Sequence, residues 1–271
     1  MAFDSKAAPG SADSGSTTDT PPDYDAIIIG AGISGMHQLY RLRELGMTVR
    51  VFEAGSDVGG TWYWNRYPGA RFDSESWSYG FSFSDELLQE WEWPEHFSGQ
   101  PDTLRYLNYV ADKFDMRRDM RFNSRVAAAH FDDAATRWTV TLESGEQATA
   151  PFLITGLGPL SAHTLPNIPG RDDFQGPAFH TARWPHEPVD LKGKRVGIIG
   201  TGACAIQTIQ TIARDVGSLT VFQRTPNWAA PLHNSKITPE EQKEIKASYP
   251  EIFARCRETI SCFIHNPDPR K

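Results

Sequence analysis

Two stretches decide the fold: IIIGAGISG at residues 27–35 and VGIIGTGACA at residues 196–205. Each is an apolar run followed by a glycine-rich turn and a helix-like stretch, and each leads to a second apolar run. The first glycine permits a tight turn, the second lets the backbone approach a pyrophosphate, and the third small residue lets helix and strand pack closely. The residues in these places are Gly30, Gly32 and Gly35 in the first stretch and Gly200, Gly202 and Ala205 in the second. The pattern predicts two dinucleotide-binding βαβ units.

The two copies differ at the position that selects the nucleotide. Glu53 lies 23 residues after Gly30, whereas Gln223 lies 23 residues after Gly200 and is followed by Arg224. A carboxylate at this spacing accepts hydrogen bonds from a ribose hydroxyl, and a guanidinium without a neighbouring carboxylate suits a 2′-phosphate. We therefore predict FAD in the first unit and NADPH in the second. Two dinucleotide sites in one chain indicate electron transfer between two cofactors.

The composition limits the classes of function. The chain has 271 residues, 39% of them hydrophobic, and a net charge of −7, and this length suits roughly two domains. The negative charge argues against nucleic-acid binding, and the lack of a long apolar run argues against a membrane partner. Three cysteines give neither a disulfide framework nor metal-ligand spacing, so we expect a cytoplasmic protein without a metal site.

The sequence after the first unit predicts a loop over residues 54–84, which are rich in glycine and aromatic residues. Residues 84–114 predict helices that begin at Ser84 and are interrupted near Pro94 and Pro101.

Short strands are predicted at residues 125–131, 138–142 and 147–150, as a small antiparallel sheet. Residues 152–158 predict a buried strand that ends in a glycine-rich turn. After the second unit, the capping box at residues 238–241 predicts a polar helix that reaches Tyr249, and a second helix begins after Pro250.

These elements predict an α/β fold with two Rossmann-like dinucleotide-binding domains, for FAD and NADP, a small antiparallel β insertion and the start of a helical insertion. The expected division is a disordered leader at 1–22, the first part of the FAD-binding domain at 23–165, a linker at 166–193, the first part of the NADP-binding domain at 194–235 and the start of the helical insertion at 236–271. Each domain has fewer strands than a complete doubly wound sheet needs, so we expect the chain to be incomplete.

Two further stretches are GTWYWNRYPGARFD at residues 60–73 and FQGPAFHTARWP at residues 174–185. They fit the patterns G-x-W-x-x-x-x-Y-P-G-x-x-x-D and F-x-G-x-x-x-H-x-x-x-W-P at every fixed position. With two glycine loops in the expected order, the chain resembles the type I Baeyer–Villiger monooxygenases, flavin enzymes that turn ketones into esters or lactones. The resemblance covers about residues 24–271 and includes GPLS at 158–161 and QRTP at 223–226.

The resemblance implies a role for each matched residue. Glu53 would hold the FAD ribose, and Asp73 would lie near the flavin and orient a catalytic arginine. His180 would have a structural or gating role in the linker, and Arg224 would bind the 2′-phosphate of NADPH. Further FAD contacts would be Thr61, Trp62, Tyr63, Trp64, Arg71, Phe72, Tyr79 and Val126, and further NADPH contacts would be Thr201, Gly202, Ala203, Cys204, Ala205, Ile206, Gln207 and Thr225.

The implied partners are a small-molecule ketone and O₂. The motif that carries the family's catalytic arginine has no match in the chain, and neither Arg66 nor Arg71 takes its position. We therefore expect these 271 residues alone to be inactive as an oxygenase. The sequence leaves open which ketone reacts and how the protein oligomerises.

Three alternatives stay open. A flavin monooxygenase that oxidises nitrogen or sulfur shares both glycine loops and a shorter linker motif, although Trp184-Pro185 and residues 62–73 argue against it. A pyridine nucleotide–disulfide reductase needs a close cysteine pair beside the flavin, and residues 54–70 contain none. The third alternative is a non-catalytic dinucleotide-binding fragment.

Overall fold

The computed structural model describes residues 20–259 and 262–265. Most of the predicted leader, at 1–19, and parts of the predicted helical insertion, at 260–261 and 266–271, lie outside the described residues. The strands are β1 (Ala26–Ile29), β2 (Val49–Phe52), β3 (Met120–Arg121), β4 (Val126–Asp132), β5 (Arg137–Leu142), β6 (Gln147–Ala150), β7 (Phe152–Thr155), β8 (Arg195–Ile199) and β9 (Ser218–Phe222). The α-helices are α1 (Ile33–Glu44), α2 (Thr61–Trp64), α3 (Ser76–Tyr79), α4 (Asp85–Glu90), α5 (Gln100–Lys113), α6 (Ala203–Ile212), α7 (Pro239–Ala247) and α8 (Tyr249–Glu258).

The first βαβ unit is the centre of the fold. β1 pairs in parallel with β2 on one side and β7 on the other, and β3 extends the sheet beyond β2. Successive side chains of a strand point to opposite faces. Ile28 accordingly packs with Met36 of α1 and Val110 of α5, whereas Ile27 packs on the other face with Val140 of β5. The continuous apolar run of β1 is therefore buried on both faces, as in other parallel sheets.

The helices before the antiparallel sheet begin at clear start signals. Ser84 caps α4 by accepting a hydrogen bond from the Leu87 backbone N–H at 3.2 Å, which confirms the predicted helix start. The predicted interruption of the helices is present: residues 91–99, which include Pro94, separate α4 from α5. Pro101 occupies the first turn of α5, where its missing N–H costs no hydrogen bond.

The predicted antiparallel sheet is confirmed, with strand order β4-β5-β6. Val140, Leu142 and Ala150 are buried against the first unit. This small sheet covers the face of β1 that α1 leaves open.

The second βαβ unit consists of β8, α6 and β9. β8 pairs in parallel with β9 from Arg195↔Ser218 to Ile199↔Phe222, and α6 follows the second glycine loop. Both predicted Rossmann-type units are therefore present in the fold.

The first helix after the second unit, α7, packs on residues 89–96, which lie between the start of α4 and the start of α5. The capping box of α7 is complete, with Thr238 and Glu241 each bonded to the other's backbone N–H. The residue just before the cap of α7 is also bonded to this segment, since the Ile237 N–H donates to the Pro94 carbonyl at 3.1 Å. The second helix, α8, begins at Tyr249, two residues earlier than expected, because Pro250 is accommodated in its first turn.

Two further expectations are corrected. Residues 54–84 contain the short helices α2 and α3 as well as loop. The sequence did not predict these helices, because a single helical turn gives too little periodicity to detect. The strand predicted before the glycine-rich turn at 156–158 is present as β7, but it is more exposed than expected, and Phe152 is 60% exposed. Its strand, β7, lies at the edge of the sheet within the described residues, so its apolar side chains have fewer neighbours. No helix of the described residues is long and apolar enough to cross a membrane.

Candidate functional site

The first glycine loop joins β1 to α1 in a closely packed turn. Gly30 has φ +101° and donates its N–H to the Phe52 carbonyl at 2.8 Å. A Cβ on Gly35 would lie 1.8 Å from the Gly30 carbonyl oxygen, and a Cβ on Gly32 would lie 3.3 Å from Gly60 Cα. Gly32 caps α1 without a side-chain hydrogen bond, so the first N–H groups of the helix face outward without an intrahelical acceptor. Such a turn suits a phosphate group.

The carboxylate of Glu53 is tied to this loop. It is buried at the end of β2, where Oε2 accepts from the Ala31 N–H at 2.7 Å and Oε1 accepts from the Gly55 N–H at 2.6 Å. A carboxylate has about four lone-pair sites, so each oxygen keeps one for a further donor. The predicted ribose ligand therefore lies beside the predicted phosphate loop.

The second glycine loop repeats the geometry of the first. Gly200 has φ +104° and donates its N–H to the Phe222 carbonyl at 2.8 Å. Gly202 caps α6 without a side-chain hydrogen bond. Residues 201–205 therefore present backbone N–H groups at a strand-to-helix junction, as predicted for a pyrophosphate site.

The residues after β9 return to this loop. The Gln223 amide donates to Thr201 Oγ1 at 2.9 Å, and the Asn227 amide donates to the Thr201 carbonyl at 3.1 Å. Arg224 and Thr225 are exposed, and within the described residues the Arg224 guanidinium makes no hydrogen bond or ion pair. Asn227 carried no signal in the sequence, because it lies outside the two motifs. The cation predicted for the 2′-phosphate is thus free to bind a ligand.

The stretch at residues 60–73 forms an aromatic cluster at the edge of the first unit. Trp62 Nε1 donates to Tyr79 Oη at 3.0 Å, and the rings of Phe72 and Tyr79 stack with centroids 4.3 Å apart. Burial raises the pKa of Tyr79, which keeps the hydroxyl protonated. Asp73 follows this cluster and is exposed. The cluster fixes the backbone that carries Asp73.

The linker motif packs against the same stretch. The Arg183 guanidinium lies 5.2 Å from the centre of the Trp64 ring, and the His186 ring meets Tyr63 edge-on at 5.2 Å. The two family motifs therefore meet, although they are far apart in sequence. Sequence reasoning missed Arg183 and His186 as contact residues, because the motif specifies only the spacing of its fixed positions.

His180 has a local structural contact. Its Nδ1 accepts a hydrogen bond from the Ala182 N–H at 3.1 Å, and its ring lies 4.9 Å from that of His163. Partial burial, with smaller contributions from His163 and Arg183, lowers the pKa of His180 and keeps the ring neutral at pH 7. No hydrogen bond or ion pair joins His180 to Asp73 among the described residues, so the two do not form one catalytic pair here.

The remaining predicted residues lie on three elements. Val126 begins β4 and packs with Phe52 in the second cluster of buried side chains. Thr61 begins α2, and Arg71 forms an ion pair with Glu95 at 3.2 Å. Ala203, Cys204, Ala205, Ile206 and Gln207 form the first turns of α6, but the Gln207 side chain faces the first unit. In the described part of the chain, no group of three or more His, Cys, Asp or Glu residues is arranged to hold a metal ion.

The comparison with known families identifies the fold. Residues 27–263 match the family described as pyridine nucleotide-disulphide oxidoreductase. The chain belongs to this family. Its three cysteines, Cys204, Cys256 and Cys262, are free thiols, and none lies in the stretch between β2 and α2.

Similar proteins confirm the resemblance to Baeyer–Villiger monooxygenases. The 2-oxo-Δ3-4,5,5-trimethylcyclopentenylacetyl-CoA monooxygenase of Pseudomonas putida is 47% identical over 256 residues, which are 92% of this chain and 47% of that protein. A Baeyer–Villiger monooxygenase of Pseudooceanicola batsensis is 45% identical over 242 residues, which are 89% of this chain and 44% of that protein. The crystal structure of OTEMO in complex with FAD and NADP has a TM-score of 0.88 and 47% identity, and the match covers 93% of this chain and 48% of that one. The chain spans about half the length of the curated relatives it matches.

Proposed function

We propose that the protein is a Baeyer–Villiger monooxygenase that uses FAD and NADPH to insert one oxygen atom of O₂ beside a ketone carbonyl, giving an ester or lactone. The observation that supports this most strongly is the contact between the two family motifs. Arg183 of the linker lies over Trp64 of the stretch that leads to Asp73. A relative named as a Baeyer–Villiger monooxygenase is 45% identical over 89% of this chain, and the structure of OTEMO with FAD and NADP has the same fold.

The residues of the first unit fit FAD. The glycine turn admits a pyrophosphate because side chains are absent where the loop at Gly32 approaches Gly60. Glu53 is buried and already oriented by two backbone donors, so it can accept hydrogen bonds from a ribose without further ordering. We assign residues 23–165 to FAD binding on these grounds.

The residues of the second unit fit NADPH. The second turn has the same backbone geometry, with an exposed arginine and no carboxylate at the position of Glu53. Arg224 would pair with the 2′-phosphate, and Thr225 would lie beside it. We assign residues 194–235 to NADPH binding and residues 166–193 to the linker between the two sites.

The chain's own residues would position and shield the reaction. When bound, FAD supplies the redox and oxygen chemistry that side chains lack. The aromatic cluster of Trp62, Phe72 and Tyr79 excludes water from one side of the predicted flavin site. Asp73 is exposed at the end of this cluster, where it can accept hydrogen bonds from an arginine and orient it.

That arginine is not one of the two nearest in sequence. Arg66 Nε donates to the Tyr63 carbonyl at 2.7 Å, and Arg71 Nη1 binds Glu95 and the Phe97 carbonyl. Both guanidinium groups are engaged in holding the loop. We therefore propose that the cation that stabilises the anionic oxygen comes from outside these 271 residues.

The partners and location follow from the same assignment. We propose a ketone and O₂ as the substrates and a cytoplasmic location, because the three cysteines are free thiols and a reduced compartment keeps them so.

Product analysis tests the reaction class. The full-length protein, loaded with FAD, is given NADPH, O₂ and either a cyclic ketone or an aromatic amine. We expect a lactone from the ketone. Formation of an N-oxide with no lactone from any ketone tested would overturn the proposal in favour of a heteroatom oxygenase. The 271 residues alone are expected to give no lactone. Robust lactone formation by them would refute the proposal that the stabilising cation comes from outside these residues.

Substitution of Arg224 tests the coenzyme assignment. Arg224→Ala should weaken NADPH binding by about 1.5–3 kcal/mol, the scale of a charge-assisted hydrogen bond, and leave NADH binding nearly unchanged. Arg214, an exposed arginine that follows α6, provides the matched control. Equal losses for NADPH and NADH would show that Arg224 does not bind the 2′-phosphate.

A further inference from the structure

One side chain of the second unit reaches across to the first. Gln207 lies on α6, and its amide oxygen accepts hydrogen bonds from Tyr67 Oη at 2.8 Å and from the Arg71 N–H at 3.4 Å. Its amide nitrogen donates to the Arg71 carbonyl at 2.9 Å. Both polar atoms of the side chain are therefore used by residues of the 60–73 stretch.

The contact is closely packed as well as hydrogen-bonded. Gly69 has φ +80°, and a Cβ there would lie 2.1 Å from Thr211 Oγ1 and 2.6 Å from the Gln207 carbonyl oxygen. Tyr67 is 7% exposed, and its burial raises the pKa of its hydroxyl, so Tyr67 stays a hydrogen-bond donor. The loop can approach α6 this closely only because residue 69 has no side chain.

The segment held in this way leads directly to the predicted site. Arg71 is two residues before Asp73, and both its backbone N–H and its carbonyl are fixed by the same amide. α6 begins at the second glycine loop. A single amide thus joins the helix that would carry one nucleotide to the loop that would border the other.

We propose that Gln207 is a positioning residue that sets the distance between the two nucleotide sites, and that it is not a ligand of NADPH. This inference rests on the proposed function, because it assumes that the ligand at α6 is the hydride donor. Reaction between two bound cofactors depends steeply on their separation, and a displacement of about 1 Å lowers a rate by up to about a hundredfold. Loss of the amide should therefore slow hydride transfer without weakening NADPH binding.

The variant Gln207→Met in the full-length holoprotein tests this, because Met keeps the length of the side chain and removes its hydrogen bonds. Gln210→Met is the matched control, since Gln210 lies on the same helix and is exposed. In anaerobic stopped-flow reduction, we expect the limiting rate for Gln207→Met to fall about tenfold with an unchanged Kd for NADPH. The control should match the native protein. A raised Kd with an unchanged limiting rate would make Gln207 a nucleotide ligand and overturn the inference.

Amide hydrogen exchange supplies a readout that is independent of turnover. Exchange across residues 67–71 should become at least about tenfold faster in Gln207→Met, because the substitution removes all three hydrogen bonds of the amide and the net effect of one such bond is about tenfold. Exchange should stay unchanged in Gln210→Met. Equal exchange in the two variants would overturn the inference. If NADPH does not reduce the flavin of the native protein, the proposed function fails, whereas the exchange experiment still decides whether Gln207 holds the loop.

A milder variant keeps the inference testable if Gln207→Met does not fold. Tyr67→Phe removes one hydroxyl and should slow flavin reduction in the same direction as Gln207→Met. The double variant should be no slower than Gln207→Met alone, because both substitutions break the same contact. Fully additive slowing would show that the two residues act separately and would contradict the proposal.

Discussion

The two glycine-loop units have the same backbone turn in very different surroundings. Gly30 and Gly200 have φ values of +101° and +104°, and each donates its N–H to the last residue of the neighbouring strand at 2.8 Å. Phe52 ends the first of these neighbouring strands and is 3% exposed, whereas Phe222 ends the second and is 58% exposed. The local turn is therefore the same in a covered sheet and in an open one.

The difference comes from neighbours in space. β1 has strands on both sides, with α1 and α5 on one face and β5 on the other. Within the described residues, β8 has only β9 beside it. A glycine turn and its following helix form from short-range contacts, but the burial of the strands depends on what the rest of the chain brings to them.

The third small residue shows the same contrast. A Cβ on Gly35 would collide with the Gly30 carbonyl, whereas Ala205 carries a Cβ at the equivalent place in the second loop. The first helix therefore lies closer to its glycine turn than the second can. Three matched pairs of substitutions test how far the two units differ in their contribution to the free energy of unfolding.

The largest expected effect is at the ends of β2 and β9. Phe52→Ala should lower the free energy of unfolding by about 4 kcal/mol, because it leaves a cavity in a packed core. Phe222→Ala should cost no more than about 1 kcal/mol, since most of that ring is already in water. Urea denaturation of both variants measures the difference. Equal losses would mean that the second sheet is as well covered in solution as the first.

The next effect concerns the third small residue. Gly35→Ala should cost about 3 kcal/mol, because the new methyl group would lie against the Gly30 carbonyl and force the helix away. The reverse change in the second loop, Ala205→Gly, should cost about 1 kcal/mol through helix propensity alone. Denaturation curves and the FAD content of the purified variant measure the two. A Gly35→Ala variant with native stability would show that the loop relaxes easily.

The smallest effect concerns the position that is predicted to select the nucleotide. Glu53→Gln should lower the free energy of unfolding by about 2 kcal/mol, because the amide can satisfy only one of the two buried N–H donors that the carboxylate now accepts. Gln223→Glu should change stability by less than about 0.5 kcal/mol, since the site is exposed and the Thr201 hydroxyl can reverse its hydrogen bond. The thermal transition of each variant without nucleotide provides the measurement. A large loss for Gln223→Glu would contradict the contrast between the two units.

Much of the candidate site was readable in the sequence because its geometry is local. The spacing from Gly30 to Glu53 is the length of one strand–helix–strand unit, so the acid returns to its own loop wherever that unit forms. The caps at Ser84 and Thr238 were also predicted, because each needs only a side-chain oxygen and an N–H three residues away. Expectations failed where a longer context decides. Two short helices, α2 and α3, formed in a stretch predicted to be loop, and Phe152, predicted to be buried, lies at a sheet edge.

The sequence by itself determined two nucleotide-binding turns, their opposite charges and the family to which they belong, because glycine placement and residue spacing fix backbone geometry over one supersecondary unit. Only the tertiary structure decided that Arg183 lies over Trp64 and that Gln207 reaches Tyr67, 140 residues away in sequence. No pattern of spacing encodes these pairs. They exist because the linker and α6 both pack against the loop at residues 60–73, and the closeness of that packing depends on every side chain at the interface.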